Sequence, residues 1–256
     1  MSYPLAMRFD RVQKGILAMN TNGRNTVAVI DLAAGLSGEN ASLQLTLATK
    51  RMAGMTILEW MTRRLQESML LERVVITGES AMLPEIQAMS LGGACWMPSP
   101  HRESLRRVYD VCQRCDARWV LLVSASCPLI DPGLTDRLLS SALKSPDADY
   151  VGYVGRERRD IGAASLGLTG QVCSTAAIAK LTSNDVREVH EVAGAICGRG
   201  DVVQLRLLPL PEELHNDDRT FAVHTGDDVL RLEGVVESNI SEVSWQTLLQ
   251  VAPQSW

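Results

Sequence analysis

The sequence is poor in aromatic residues, carries no excess of positive charge and has no long apolar run. Aromatic residues make up 4% of its 256 residues, with only 2 Phe, so no row of rings for stacking on nucleobases is evident. The formal net charge of −5 argues against nucleic acid or an anionic membrane as the main partner. No apolar run reaches about 18 residues and the N-terminal segment lacks a signal-peptide core, so we expect a cytoplasmic protein without a membrane partner.

Six cysteines are scattered through apolar or helical patterns, as is typical of buried reduced thiols. Cys112 and Cys115 form a CxxC pair, but they lie within a helical pattern and no second pair follows. We therefore favour packing inside a helix over zinc binding or redox chemistry for this pair.

The most informative stretch is an apolar run that leads into a small polar loop and then a helix start. Trp119–Val123 has the length and composition of a strand that is buried on both faces. The loop Ser124–Ile130 follows, and then Asp131 and Pro132 suit the cap and the first position of a helix. Because open α/β sheets bind ligands at the carboxyl ends of their strands, we expect Ser124–Ile130 to face a site.

Apolar runs alternate with amphipathic segments along the rest of the chain, which predicts an α/β fold with a mostly parallel sheet. We predict that Val27–Ile30, Val74–Thr77 and Trp119–Val123 are neighbouring central strands. Further strands are predicted at Gly92–Met97, Asp149–Val154 and Asp201–Leu210. Helices are predicted at Thr56–Leu70, Leu83–Leu91, from Glu103, and at Asp131–Leu143, Ser174–Leu181, Val186–Cys197, Val229–Val236 and within Glu237–Trp256.

The polar loop also carries a family resemblance. From Ser124 to Pro132 the sequence S-A-S-C-P-L-I-D-P resembles T-G-D-C-P-L-I-D-P, a signature of the spore-coat-polysaccharide type of cytidylyltransferase, related to the CMP-KDO and CMP-sialic acid synthetases. Weaker matches keep the family's order and begin at Ala53, Ser99, Asp149, Gly167, Arg187 and Arg219. The resemblance implies a nucleotide-diphospho-sugar transferase-like (GT-A/Rossmann-like) three-layer sandwich over 26–237, preceded by an extension, 1–25, and followed by a C-terminal helix and tail, 238–256.

The same resemblance implies a nucleotide or nucleotide sugar as ligand, Mg²⁺ as the family's cofactor, and a homodimer built on a protruding strand pair near Gly155–Asp160. In the family, a sugar oxygen attacks the α-phosphate of CTP and pyrophosphate leaves. Candidate nucleotide contacts carried over from the motifs are Asp31, Gly35, Ser37, Ser99, Arg102, Ser126 and Cys127. Candidate contacts on the sugar side are Thr169, Gln171, Asp227 and Asp228.

Four charged positions of the family pattern are replaced in this chain. Ser126 and His224 stand at the two metal-binding aspartates, and the phosphate-binding Arg and Lys positions fall near Leu43 and Leu47. A neutral hydroxyl is a poor ligand for Mg²⁺, and an imidazole suits transition metals better. No Lys or Arg occurs between residues 31 and 49, where Asp31 and Glu39 would repel a triphosphate.

Three functions fit these observations. The chain is a homologue that has lost catalysis and acts in binding or regulation, or an active nucleotidyltransferase with a rearranged site, or a sugar-nucleotide-binding glycosyltransferase-like protein. Substitute catalytic groups for the second are His224, Asp227, Asp228 and Glu79. For each function we predict a cleft formed by Asp31–Ser37, Ser99–Arg102, Ser124–Cys127 and His224–Asp228.

Overall fold

The computed structural model describes residues 24–33, 41–155, 166–184, 186–187, 189, 192–197, 204–215, 219–237 and 243–252. The strands of this part are β1 (Thr26–Asp31), β2 (Arg51–Met52), β3 (Met55–Thr56), β4 (Arg73–Gly78), β5 (Cys95–Pro98), β6 (Trp119–Val123), β7 (Tyr150–Val154), β8 (Gln171–Ser174) and β9 (Leu205–Pro209). Its α-helices are α1 (Ala41–Thr49), α2 (Ile57–Gln66), α3 (Leu83–Gln87), α4 (Ser104–Cys115), α5 (Pro132–Lys144), α6 (Thr175–Ser183), α7 (Val192–Cys197), α8 (Gly226–Glu237) and α9 (Trp245–Val251).

The central sheet is mostly parallel, as predicted. Seven strands hydrogen-bond in the order β5-β4-β1-β6-β8-β7-β9, while β2 and β3 form a separate hairpin. All neighbouring pairs of the large sheet are parallel except the two that involve β8, which runs antiparallel to both β6 and β7. Ala28 of β1 lies opposite Val74 of β4 and Leu121 of β6. The three apolar runs are therefore neighbouring strands, and that prediction is confirmed.

Helices cover both faces of the sheet and make it the middle layer of three. Because successive strand residues point to opposite faces, Val27 and Val29 pack into one apolar cluster while Ala28 and Ile30 pack into the other. The first cluster takes its helical side chains from α4, α6 and α7. The second takes them from α1, α2, α3, α5, α8 and α9. The predicted three-layer α/β sandwich is confirmed.

Helix boundaries follow local hydrogen bonding. Thr56 and Glu59 form a capping box at the start of α2, and Asp131 caps α5 by accepting from the Leu134 N–H. The helix predicted for Thr56–Leu70 ends at Gln66, since the following backbone N–H groups turn to the carboxylate of Asp136.

Other boundaries differ more from the sequence prediction. Helix α1 occupies a stretch for which no helix was predicted from the sequence. Helix α3 ends at Gln87 rather than Leu91. The predicted N-terminal extension, the strand pair near Gly155–Asp160 and much of the C-terminal tail lie outside the described residues. Within the described part, no helix is both long and apolar enough to span a bilayer.

Candidate functional site

Polar loops meet at the carboxyl edge of the parallel strands. The Leu32 N–H donates to the Thr77 carbonyl over 2.9 Å, which joins the end of β1 to the end of β4. The Ser99 N–H donates to the Gly78 carbonyl over 3.1 Å and so places the loop after β5 beside them. The structure thus brings two of the predicted cleft segments, the described start of Asp31–Ser37 and the segment Ser99–Arg102, to the end of β4.

The segment that leads into α8 joins the same edge next to β6. The Val223 N–H donates to the Ser126 carbonyl over 2.7 Å. Gly167, with φ +75°, allows a close approach nearby, because a Cβ there would lie 2.2 Å from the Ala222 nitrogen. Ser126 and His224, the two positions predicted from the family resemblance to replace metal ligands, are therefore near each other at this edge. Gly35 and Ser37 lie outside the described residues.

The loop after β6 is held by its own small side chains. The hydroxyls of Ser124 and Ser126 lie 2.8 Å apart, and the Ser126 N–H also donates to Ser124 Oγ. Cys127 is fully buried, and burial raises the pKa of its thiol to about 11. A ligand at this loop would meet serine hydroxyls and backbone, because the Cys127 side chain faces the core.

Asp31 does not present a free negative charge to a phosphate. Its carboxylate is buried and faces Arg107, whose Nη2 lies 2.9 Å from Oδ2 and whose Nε donates to both oxygens over 3.1 Å. The carboxylate also accepts from the Ala33 N–H. The expectation that Asp31 repels a triphosphate is thus corrected: its partner comes from the buried face of α4, and the sequence gives no signal for that pairing.

Arg107 also ties down the loop that begins at Ser99. Its Nη1 donates to the carbonyl oxygens of His101 and Arg102. The side chains of His101 and Arg102 point to solvent. Ser99 is buried, and its Oγ has no hydrogen-bond partner among the described residues. A buried hydroxyl without a partner at a sheet edge offers a hydrogen bond to a ligand.

The predicted sugar-side residues divide into two environments. Thr169 and Gln171 are buried at the start of β8, where Gln171 pairs with Leu122 and its Oε1 accepts from the Tyr150 hydroxyl. Asp227 is exposed at the start of α8. The Asp227 carboxylate is therefore open to a ligand, whereas Thr169 and Gln171 lie within the packed sheet.

Asp228 is committed to the turn before α8. Its Oδ2 accepts from the N–H groups of His224 and Thr225 over 2.9 Å, and its Oδ1 lies 3.0 Å from Arg231. Burial raises the pKa of Asp228, but these hydrogen bonds and the Arg231 charge outweigh it, so the pKa lies below its ordinary value.

Lys50 brings a cation to this edge that sequence reasoning missed. A Cβ built on Gly226 would lie 3.0 Å from Lys50 Nζ, so the ammonium lies at the first residue of α8. Lys50 is exposed, and within the described chain its side chain has no ion pair. The interval without Lys or Arg ends at residue 49, and the spacing of the family motifs does not indicate that a helix turns Lys50 toward this edge. Leu47, the predicted Lys position, instead packs against the core from α1.

The donor set at the predicted metal positions does not fit Mg²⁺. Ser126 offers a hydroxyl already bonded to Ser124, His224 offers an exposed imidazole, and Asp228 is engaged by its own turn. Among the described residues, no group of three or more His, Cys, Asp or Glu side chains is arranged to hold a metal ion. Glu79 is exposed just after β4, and among the described residues no hydrogen bond or ion pair joins its carboxylate to Ser126 or His224.

A mostly parallel seven-stranded sheet between two helical layers, with polar loops at its carboxyl edge, is the architecture of α/β proteins that bind ligands at that edge. The sequence profile of the cytidylyltransferase family matches residues 48–195, so the chain belongs to that family. No curated protein matches the chain.

Solved structures share the fold at low sequence identity. A cytidylyltransferase from Leptospira borgpetersenii superposes with a TM-score of 0.70 at 14% identity, covering 91% of this chain and 98% of its own. A CMP:2-keto-3-deoxy-manno-octonic acid synthetase complexed with CTP has a TM-score of 0.59 at 12% identity, covering 84% and 99%. A Mycobacterium tuberculosis protein in complex with manganese has a TM-score of 0.58 at 16% identity, covering 82% and 98%.

Proposed function

We propose that this family member binds a nucleotide or nucleotide sugar at the carboxyl edge of its sheet and acts in binding or regulation rather than in Mg²⁺-dependent nucleotidyl transfer. The observation that supports this is that Ser126 and His224, which the family resemblance assigns to the metal positions, lie near each other and supply no carboxylate for Mg²⁺. The setting in surface-polysaccharide biosynthesis, the domain bounds 26–237 and a homodimer follow from the family resemblance and belong to the same proposal.

Binding is supported by groups at the edge that have no partner in the described chain. The Ser99 hydroxyl is buried and unbonded, and the Lys50 ammonium lies beside the start of α8. Helix N-termini favour phosphate oxygens, and Lys50 adds a full positive charge there. Nucleotidyl transfer would in addition need positive charge to neutralise the leaving pyrophosphate, and the described residues supply only part of that charge.

Thermal unfolding in the presence of nucleotides tests this function. A ligand that binds only the native state raises the melting temperature, so CTP or CMP should stabilise the protein to the same extent with and without Mg²⁺. The double variant Ser126→Asp with His224→Asp should make the stabilisation by CTP depend on Mg²⁺. The control, Gln113→Asp with Ser183→Asp, adds the same charge at exposed positions and should not. Absence of stabilisation by any common nucleotide would contradict the proposal.

An active enzyme with a rearranged site is the second candidate, and the position of Lys50 favours it. Together Lys50, Asp227 and His224 place a cation, a free carboxylate and an imidazole at one helix start. Pyrophosphate release from CTP with an acidic sugar, at an ordinary enzymatic rate and lost in Lys50→Ala, would establish this function in place of the first.

A further inference from the structure

A cavity of about 450 Å³ lies on the flank of the fold, between α2, the start of α5 and the start of α9. None of the candidate residues at the carboxyl edge lines it. Its volume is in the range of small-molecule sites, which run from roughly 300 to 1,000 Å³. Part of its wall comes from Val243–Gln246, a segment that the family profile does not cover.

Arg64 lines this cavity with an incompletely satisfied guanidinium. Its side chain is 7% exposed; Nε donates to the Ile130 carbonyl, and Nη1 donates to Glu67 over 3.0 Å. Nη2 has no hydrogen-bond partner, and Oδ2 of Asp131 lies 3.7 Å from it. Leaving a buried charged donor without an acceptor is costly, so this nitrogen favours a ligand that supplies one.

The carboxylates around the cavity are already occupied. Asp131 accepts from the Leu134 N–H over 2.9 Å and from the Trp245 N–H over 3.0 Å. Glu67 accepts from Arg64 and lies 3.9 Å from Arg63. Three of the four carboxylate oxygens of Asp131 and Glu67 thus accept hydrogen bonds, and the fourth, Glu67 Oε1, lies 3.9 Å from Arg63. The first turn of α5 adds the positive end of a helix dipole. The cavity therefore favours an anionic oxygen.

The remaining walls of the cavity are apolar. Trp60 and Trp245 line it together with Met55, Pro132 and Val243. The indole N–H of Trp60 donates to the Met52 carbonyl over 2.7 Å, so its ring offers only apolar surface to the cavity. A ligand that fits needs a flat or apolar body attached to its anionic group.

We propose that this cavity is a second ligand site, separate from the nucleotide edge, for a small compound that joins a carboxylate or phosphoryl group to an apolar body. The anionic oxygens accept from Arg64 Nη2, and the apolar body lies against Trp60 and Trp245. Since Arg64 also holds the Ile130 carbonyl, the occupant stabilises the end of the loop Ser124–Ile130 from behind.

Calorimetric titration of the full chain tests the site, with benzoate, the uncharged benzamide and inorganic phosphate as probes. Benzoate should bind and benzamide should not. Arg64→Gln should weaken benzoate binding at least about tenfold, the effect of losing a hydrogen bond to a charged group. Arg106→Gln is the matched control, because Arg106 lines another cavity of comparable size, about 440 Å³, and pairs with Glu103. Phosphate binding that also requires Arg64 would identify the phosphoryl group as the preferred anion.

Two further measurements make the outcome decisive. Benzoate should still bind in the presence of saturating CTP, which shows that the two ligands do not compete for one site. If Arg64→Gln does not fold, Trp245→Leu replaces it, since the backbone N–H of residue 245 can still reach Asp131. No binding of benzoate or phosphate to the wild-type chain, or undiminished binding to either folded variant, would overturn the proposal.

Discussion

Two buried arginines face aspartates in this fold, and they differ in how closely the carboxylate meets the guanidinium. Arg107 Nη2 lies 2.9 Å from Asp31, and Arg107 Nε donates to both of its oxygens. Arg64 Nη2 lies 3.7 Å from Asp131, whose oxygens accept from backbone N–H groups instead. Both Nη2 atoms lack an aligned hydrogen bond, but Arg107 contacts its carboxylate directly through Nε and so closes the first pair, whereas no nitrogen of Arg64 donates to Asp131 in the second. A buried ion pair can therefore act as a brace or as one wall of a site.

Breaking the closed pair should have the largest effect on stability. Asp31→Ala leaves Arg107 charged and buried without its carboxylate, so we expect a loss of about 3–5 kcal/mol in the free energy of unfolding. Urea denaturation measures this. The double variant Asp31→Leu with Arg107→Met should recover most of the loss, because no charge is then left buried. A loss under about 1 kcal/mol for Asp31→Ala would mean that the pair is not the brace we describe.

Breaking the open pair should cost less. Asp131→Ala removes the cap of α5 and the acceptor for the Trp245 N–H, and we expect a loss of about 1–2 kcal/mol, the range of a helix N-cap. Asp131→Asn keeps an acceptor at the cap and should lose less than half as much by the same urea assay. If Asp131→Ala were as destabilising as Asp31→Ala, the contrast between the closed and the open pair would fail.

The sequence predicted the β strands better than it predicted either pair. The runs Val27–Ile30, Val74–Thr77 and Trp119–Val123 carry their own evidence, because an apolar run bounded by polar residues specifies a buried strand locally. Arg107 lies on a helix between Arg106 and Val108, and nothing local indicates that it faces Asp31, 76 residues away in sequence. Side-chain pairings of this kind depend on which helix packs over which strand, and local sequence patterns do not indicate that packing.

The candidate site shows the same limit. Motif spacing located Ser126, and the structure places His224 next to it by way of the bond from Val223. Lys50 was missed because α1 changes where the chain after β1 runs, so a count along the sequence could not give its position. Spacing locates residues within a motif, but it does not locate residues between two motifs when a helix lies there.

The partly exposed pair Asp228 and Arg231 extends the comparison, and it predicts a pH dependence of stability. Asp228 lies 3.0 Å from Arg231, and its pKa is lowered in the folded protein. A carboxyl whose folded pKa is depressed contributes stability above its unfolded pKa and loses it as the pH falls through the folded value. The difference in unfolding free energy between wild type and Asp228→Asn should therefore shrink from about pH 5 to about pH 3. A difference that stays constant across that range would show that Asp228 acts only as a hydrogen-bond acceptor.

Lys50 completes the series as a cation without a carboxylate partner in the described chain, and its removal should have the smallest effect on stability. Because Lys50 is exposed, Lys50→Ala should change the free energy of unfolding by no more than about 0.5 kcal/mol.

The effect of Lys50→Ala should appear in ligand binding. If phosphates lie at the start of α8, the variant weakens CTP several-fold and CMP less, because only CTP extends a triphosphate toward the ammonium. Arg51→Ala is the control, since Arg51 donates to the neighbouring Gly54 carbonyl over 2.7 Å. Calorimetric titration of both nucleotides measures the difference, and equal weakening of CTP and CMP would place Lys50 beside the nucleoside rather than the phosphates.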